Sequence, residues 1–368
     1  MLNTLKIYMP SITFKTHSTL LYVFMCSFVF SLTFAVPVSY AQEDRKKESP
    51  WFIVPTLSSD PKLGTSVGLL AGYLYQFDKL STPSMFAAKT SYSKTDSTTS
   101  AAFGQMFFDE NQQKLMLGHA EGRIQNDYND FLGSGISAQT TDKLKASFLR
   151  YSHEVSDNWY LGAQYISTNY TIGAEDILKL VLDLIGLTGF NSKGIGIVAE
   201  YDTRDNERNA KKGNYFQFHN IAYRESLGGD VSFDVYNLSY SQYISHGSGH
   251  VFAWQTKGRW TEDAPIGGYS SIELRGYVRG NYLAPHYTHV QAEERLTLNS
   301  KWGLSFFAGA GCLYEELSDC DDSGNMYLSA GLGVIYTLKE KAGLVMRVEI
   351  AKGEADEYVG YLKMGNPF

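Results

Sequence analysis

From residue 51 to the C-terminus, apolar and polar side chains alternate in runs of roughly ten residues, parted by connections that are short and long in turn. Roughly sixteen such runs can be counted, an even number of the kind that closes a bacterial membrane barrel. Alternate residues of a strand point to opposite faces. Over residues 288–298, Val290, Ala292, Leu296 and Leu298 share one face, while Gln291, Glu293, Arg295 and Thr297 share the other. The split recurs over 343–353, with Leu344, Met346, Val348 and Ile350 on one side and Arg347 and Glu349 on the other. Charges therefore collect inside and apolar side chains outside. A closed barrel can show such a face to lipid because its strands satisfy every backbone N–H and C=O among themselves. The pattern predicts an all-β fold, a transmembrane antiparallel β-barrel. Glu294 breaks it by landing on the lipid side. A charge at the midplane costs about 2 kcal/mol or more, which places Glu294 near a rim or a bulge.

Short connections at 109–112, 156–158, 246–249, 299–301 and 339–341 are expected on the periplasmic side. Longer ones at 126–142, 173–192, 263–287 and 312–325 are expected to face outside. Residues 175–187 depart from the strand rhythm. Glu175, Asp176, Lys179 and Asp183 form one stripe against Ile177, Leu178, Val181, Leu184 and Ile185, and Gly186 follows. This spacing predicts one short extracellular loop helix, too short to span, which lids the barrel, rests on the outer leaflet or packs on neighbouring loops.

The first 41 residues read as a signal peptide. Lys6 and Lys15 precede an apolar stretch over residues 20–36, and Ser39 and Ala41 supply the small residues of a cleavage site. Residues 42–50 then form a short periplasmic segment before a barrel over 51–368. Cys26 lies within the apolar stretch without the small residues that lipidation needs. Beyond this leader nothing approaches the ~18 apolar residues of a spanning helix. The 34 glycines and 9 prolines suit all-β structure, and 26 tyrosines suit a membrane–water girdle. A net charge of −7 with scattered basic residues gives no reason to expect a nucleic-acid partner. Cys312 and Cys320 flank an acidic turn, and a loop disulfide is preferred over free thiols.

After Tyr201 the chain reads Asp202-Thr203-Arg204-Asp205, then a polar connection to Gly213 and a new alternating run. Later come Leu274-Arg275-Gly276-Tyr277, the pair Glu293 and Arg295, the strand 307–311, and an ending in Tyr361, Lys363, Gly365 and Phe368. In this order the motifs resemble those of the bacterial surface antigen family, the BamA/TamA-like barrels of outer-membrane assembly and translocation. They are similar to its Asp-Thr-Arg-Asp strand end, Val-Arg-Gly-Phe/Tyr loop, Glu-x-Arg strand, Phe-x-Asp-x-Gly strand and closing β-signal. The motifs cover residues 194–368, and strand rhythm alone carries the likeness back to residue 51. The resemblance implies that the Leu274–Tyr277 loop folds into the lumen, where Arg275 pairs with acidic wall residues. A guanidinium offers a planar fork of donors, and Glu293 and Glu349 could bind it bidentately, with Arg295 and Arg347 beside them. The competing reading is a surface loop whose arginine meets lipopolysaccharide phosphates.

Three departures from the family pattern matter. Gly309 stands where the Phe-x-Asp-x-Gly strand offers its aspartate, so Glu293 is expected to carry more of the pairing. Ala210 replaces a proline. Scarcely ten residues separate Ala41 from the first strand, too few for the family's periplasmic POTRA modules, so a barrel without them is expected.

Catalytic patterns are weak. Gly194, Gly196 and Ala199 lack the strand, turn and helix of a dinucleotide loop. His246 and His250 lack a third ligand, and His153 with Glu154 lacks the second histidine of a zinc protease. The acidic stretch with Glu315, Glu316, Asp319, Asp321 and Asp322 opens like a calcium loop, but Ala330 occupies the place of its closing glutamate. No catalytic residue, metal or cofactor is expected. The resemblance implies a role in outer-membrane protein assembly or translocation. The alternatives are a plugged or gated pore for small solutes and a barrel-borne lipid-modifying enzyme. Expected partners are outer-membrane lipids and lipopolysaccharide, the barrel assembly machinery during biogenesis, and a periplasmic adaptor or secreted client, in the outer membrane of a Gram-negative bacterium.

Overall fold

A computed structural model describes residues 49–60, 64–128, 138–174, 189–277, 282–340, 342–353, 358–366 and 368. The signal-peptide stretch and the helix expected over 175–187 lie outside them. The strands are β1 (Trp51–Asp60), β2 (Gly64–Tyr75), β3 (Ser84–Ser93), β4 (Thr98–Phe108), β5 (Gln113–Tyr128) and β6 (Ala138–Ser156). They continue as β7 (Trp159–Ala174), β8 (Asn191–Asp202), β9 (Gly213–Tyr223), β10 (Phe233–His246), β11 (His250–Glu262), β12 (Ser270–Ser271) and β13 (Leu283–Ala284). The last five are β14 (His286–Thr297), β15 (Trp302–Tyr314), β16 (Met326–Lys339), β17 (Leu344–Lys352) and β18 (Tyr358–Met364). Among the described residues, sixteen of these close one antiparallel barrel in which β18 returns to β1; β12 and β13 form a separate small ladder. Helical structure among the described residues is limited to short 3-10 turns such as Leu317–Asp321.

The period of two becomes an inside and an outside, except at Leu344, expected on the outer face: beside the register shift at Thr337 and Lys339 it is 1% exposed and packs with Phe52 and Val54. Val290 and Val348 are 48% and 54% exposed on the outer wall, whereas Glu293 and Arg347 on the same two strands are each 1% exposed in the lumen. Three directly opposed aromatic pairs, Trp51 with Tyr73, Trp159 with Tyr201 and Trp302 with Tyr336, lie at one end of their strands with ring centroids 4.7, 5.1 and 4.7 Å apart. Such a belt is what an interfacial girdle requires. Glu294 sits at this same end, where its carboxylate meets His246 Nε2 at 2.8 Å. The rim placement removes the cost of a midplane charge.

Two boundaries differ from the sequence expectation. The connection expected over 126–142 is shorter, because β5 runs on to Tyr128 and β6 begins at Ala138. These strands, with β7, hold 16, 19 and 16 residues. A bilayer needs only about 9–11, so the surplus projects beyond it, where polar side chains can continue a ladder. The connection 263–285 is not a plain loop, since the β12–β13 ladder pinches its base. The closing seam is the weakest join. Among the described residues, β1 meets β18 through two residue pairs, Ser58 with Tyr361 and Ser59 with Gly360, whereas β1 and β2 share ten.

Candidate functional site

The Leu274–Tyr277 motif descends into the lumen because its base is anchored. Arg259 on β11 donates to Ser270 Oγ (2.9 Å) and Gly268 O (3.0 Å), and Lys257 pairs with Glu273. Leu274 and Tyr277 pack with Ile272, Tyr287, Leu313 and Tyr327, so the motif's apolar residues carry the loop's burial rather than its charge pairing. Gly276 has φ 100°, and a Cβ there would lie 2.7 Å from the backbone of Lys352 and Gly353. Only glycine fits both demands. Its N–H donates to Tyr361 Oη at 2.9 Å, which brings the C-terminal strand into the site.

Arg275 is buried among carboxylates. Its Nη1 donates to Glu293 Oε2 (2.6 Å) and Glu349 Oε1 (3.1 Å), and its Nε to Gln291 Oε1 (3.1 Å). The guanidinium lies 3.4 Å from the Phe307 ring centroid, a cation–π contact. The expected bidentate fork is therefore corrected: one nitrogen is shared by two carboxylates, and an amide takes the next. Arginines also hold Glu293 Oε1 and the same Glu349 Oε1, while Glu349 Oε2 meets no hydrogen-bond donor among the described residues. Arg295 Nε and Arg347 Nη2 donate to Glu293 Oε1 at 2.6 and 2.8 Å, and Arg347 Nε donates to Glu349 Oε1 at 2.9 Å. Glu349 supplies the second carboxylate that Gly309 does not. A side chain at 309 would displace the loop, since its Cβ would lie 2.8 Å from Leu274 Cδ2 and 3.0 Å from Val290 O.

The second predicted group lies at the barrel end that carries the Trp159–Tyr201 pair. Asp202 receives Arg204 bidentately, Nε to Oδ1 at 2.8 Å and Nη2 to Oδ2 at 2.7 Å, and Lys114 joins at 3.4 Å. Burial opposes the charge on Arg204, yet Asp202 holds the guanidinium above its ordinary range. Asp205 accepts the backbone N–H groups of Lys211 and Lys212 (2.8 and 3.2 Å), folding the connection back to Gly213 at the start of β9. Arg208 crosses to the opposite wall, donating to Pro83 O (2.6 Å) and Ala342 O (3.5 Å). Burial lowers its pKa, with Glu207 partly offsetting.

The two groups touch. Arg295 Nη1 donates to Ala210 O at 3.1 Å, Arg347 Nη1 to Asn366 Oδ1 at 3.0 Å, and Asn366 to Asn209 at 3.2 Å. β18 stops at Met364, Gly365 turns with φ 87°, and Phe368 packs on Ala210, Tyr243, Val251 and Ala253. Ala210 thus lies under the C-terminal ring, 2% exposed. Cys312, at the end of β15, is joined by a disulfide to Cys320 in the adjoining acidic turn. His246 and His250 serve the rim: the first meets Glu294, and the second accepts Thr297 N–H at 3.0 Å. Sequence reading missed Gln291, Phe307 and Tyr361 as contacts of the loop. The period of two had put Gln291 on the lumen face, and nothing in it pointed to Arg275.

The fold is similar to that of BamA. The match to BamA from Haemophilus ducreyi lacking POTRA domains 1-3 has a TM-score of 0.54 and 14% identity, over 87% of this chain and 71% of that one. CdiB from Escherichia coli gives a TM-score of 0.60 at 11% identity over 87% of this chain, and CdiB from Acinetobacter baumannii 0.57 at 11% over 86%. The chain spans 63% and 59% of the length of these two CdiB chains. No family model and no curated protein matches the sequence. At these identities the likeness is one of fold, that of Gram-negative outer-membrane barrels of sixteen strands.

Proposed function

We propose that this chain is an outer-membrane barrel that assists the assembly or translocation of other polypeptides, as its resemblance to the surface antigen family implies. The observation that carries the proposal is the Arg275 loop, held by Glu293 and Glu349 inside the lumen, beside a barrel seam of two residue pairs among the described residues. The loop keeps solutes from leaking. The short seam leaves backbone groups of β1 able to accept an incoming strand, because unpaired N–H and C=O groups in lipid seek partners. The girdle and apolar wall seat the chain among acyl tails and lipopolysaccharide, and its other partner would be a client chain or a periplasmic adaptor. Depleting the protein should lower the outer-membrane abundance of other barrels, measured by quantitative mass spectrometry of that membrane. Unchanged abundance overturns the proposal.

A second reading, a gated pore, is favoured by one observation. Polar cavities of about 370 and 310 Å³ lie in the lumen, one against the Arg275 loop and one against Arg204 and Glu207 of the periplasmic connection. Neither reading assigns the chain covalent chemistry.

A further inference from the structure

The larger of these cavities, about 370 Å³, lies between the Arg275 loop and the wall of β9, β10, β11 and β14. We propose that it binds a small oxyanion, a phosphate or a carboxylate group. Four side chains on its lining, Arg275, Gln291, His289 and His219, each carry a nitrogen with no hydrogen-bond partner among the described residues. Arg275, Gln291 and His289 are 5%, 5% and 6% exposed. Two of these nitrogens are obligatory donors. Arg275 Nη2 can only donate, and the orientation of Gln291 is fixed because its Oε1 accepts from Arg275 Nε. Its Nε2 therefore carries two protons and meets no acceptor among the described residues. The imidazoles of His219 and His289 can supply a donor or an acceptor according to tautomer.

Charge decides what those donors await. Among the described residues, Arg275, Arg295 and Arg347 pair with Glu293 and Glu349, three cationic side chains against two anionic ones, so this network carries one positive charge in excess. Lys257, also on the cavity lining, pairs with Glu273. Water could fill the volume and accept from the donors, but it cannot neutralise that charge. One oxyanion does both. Bound to Arg275 Nη2 and Gln291 Nε2, it bridges the loop to β14 and fastens the loop in the lumen. The inference holds whether the barrel assembles proteins or gates a pore.

The test is isothermal titration calorimetry of the full chain in neutral detergent with sodium phosphate and with sodium acetate, at ionic strength matched by chloride. One saturable site is expected for at least one anion; phosphate alone marks a tetrahedral ligand, and acetate as well marks a carboxylate. Gln291→Leu should weaken that affinity tenfold or more. Where Gln291→Leu fails to migrate as a folded barrel in unheated gels, His219→Leu, which leaves the Arg275 contacts intact, should weaken it several-fold instead. Arg123→Gln with Lys143→Gln on the outer wall should leave it unchanged. No saturable site in a folded chain, equal affinity in the lumen variants, or loss of binding in the outer-wall variant overturns the proposal.

Discussion

Glu293 accepts from three arginines on a loop, its own strand and β17, and its side chain is fully buried. Removing one member of a buried charge set costs more than the set contributes, because the remaining charges lose compensation in a poorly solvated place. Glu293→Gln keeps the volume and removes the charge. It should destabilise the folded barrel by about 3–5 kcal/mol, read as a lower guanidinium midpoint in gel-shift unfolding. Gly309 makes the opposite point, since here an absent side chain permits the contact. Gly309→Asp restores the family's acid but drives Cβ toward Leu274 Cδ2, and overpacking of this kind costs about 1–3 kcal/mol. Limited proteolysis within 263–285 should accelerate in that variant. An unchanged cleavage rate would mean that Leu274 yields freely. Arg275 was legible as a motif and Glu293 and Glu349 as inward residues. Gln291 and Phe307 were not legible as its partners, because alternation puts every second residue of a strand in the lumen and leaves their heights to the register.

At the scale of elements, the seam between β1 and β18 differs from all its neighbours. Strand pairing stabilises a barrel through many backbone hydrogen bonds, each net about 0.5–1.5 kcal/mol, so a two-pair join opens far more readily than a ten-pair one. Ser59→Cys with Gly360→Cys places two thiols at opposed positions. Oxidising that pair should abolish support for assembly of other barrels, and reduction should restore it. Full support from the oxidised chain would show that the seam stays shut in function. Sequence could not single out this seam, because β1 and β18 alternate as regularly as other strands and only their stagger shortens the join. The projecting ends of β5 to β7 escaped notice for a related reason. Their polar residues looked like loop, yet backbone pairing continues wherever a neighbouring strand is present.

Across the whole molecule the lumen is occupied from both ends. The Arg275 loop enters from above, the 203–212 connection crosses below, and Arg295 bonded to both Glu293 and Ala210 O ties them into one unit. Arg275→Ala should release the upper loop and raise single-channel conductance in planar bilayers several-fold. Conductance equal to the parent counts against the loop as an obstruction. The amino-acid sequence by itself determined that the chain is a membrane barrel, which face of β14 and of most of β17 points outward, and that an arginine loop belongs with inward acids. Those properties are periodic or local, and a repeat of two suffices to express them. Only the tertiary structure decided that two carboxylates share one arginine, that Phe368 turns in against Ala210, and that the described residues of β1 and β18 close the cylinder through two pairs. Each of these depends on stagger and height between strands far apart in sequence, which closure of the barrel sets and no local pattern encodes.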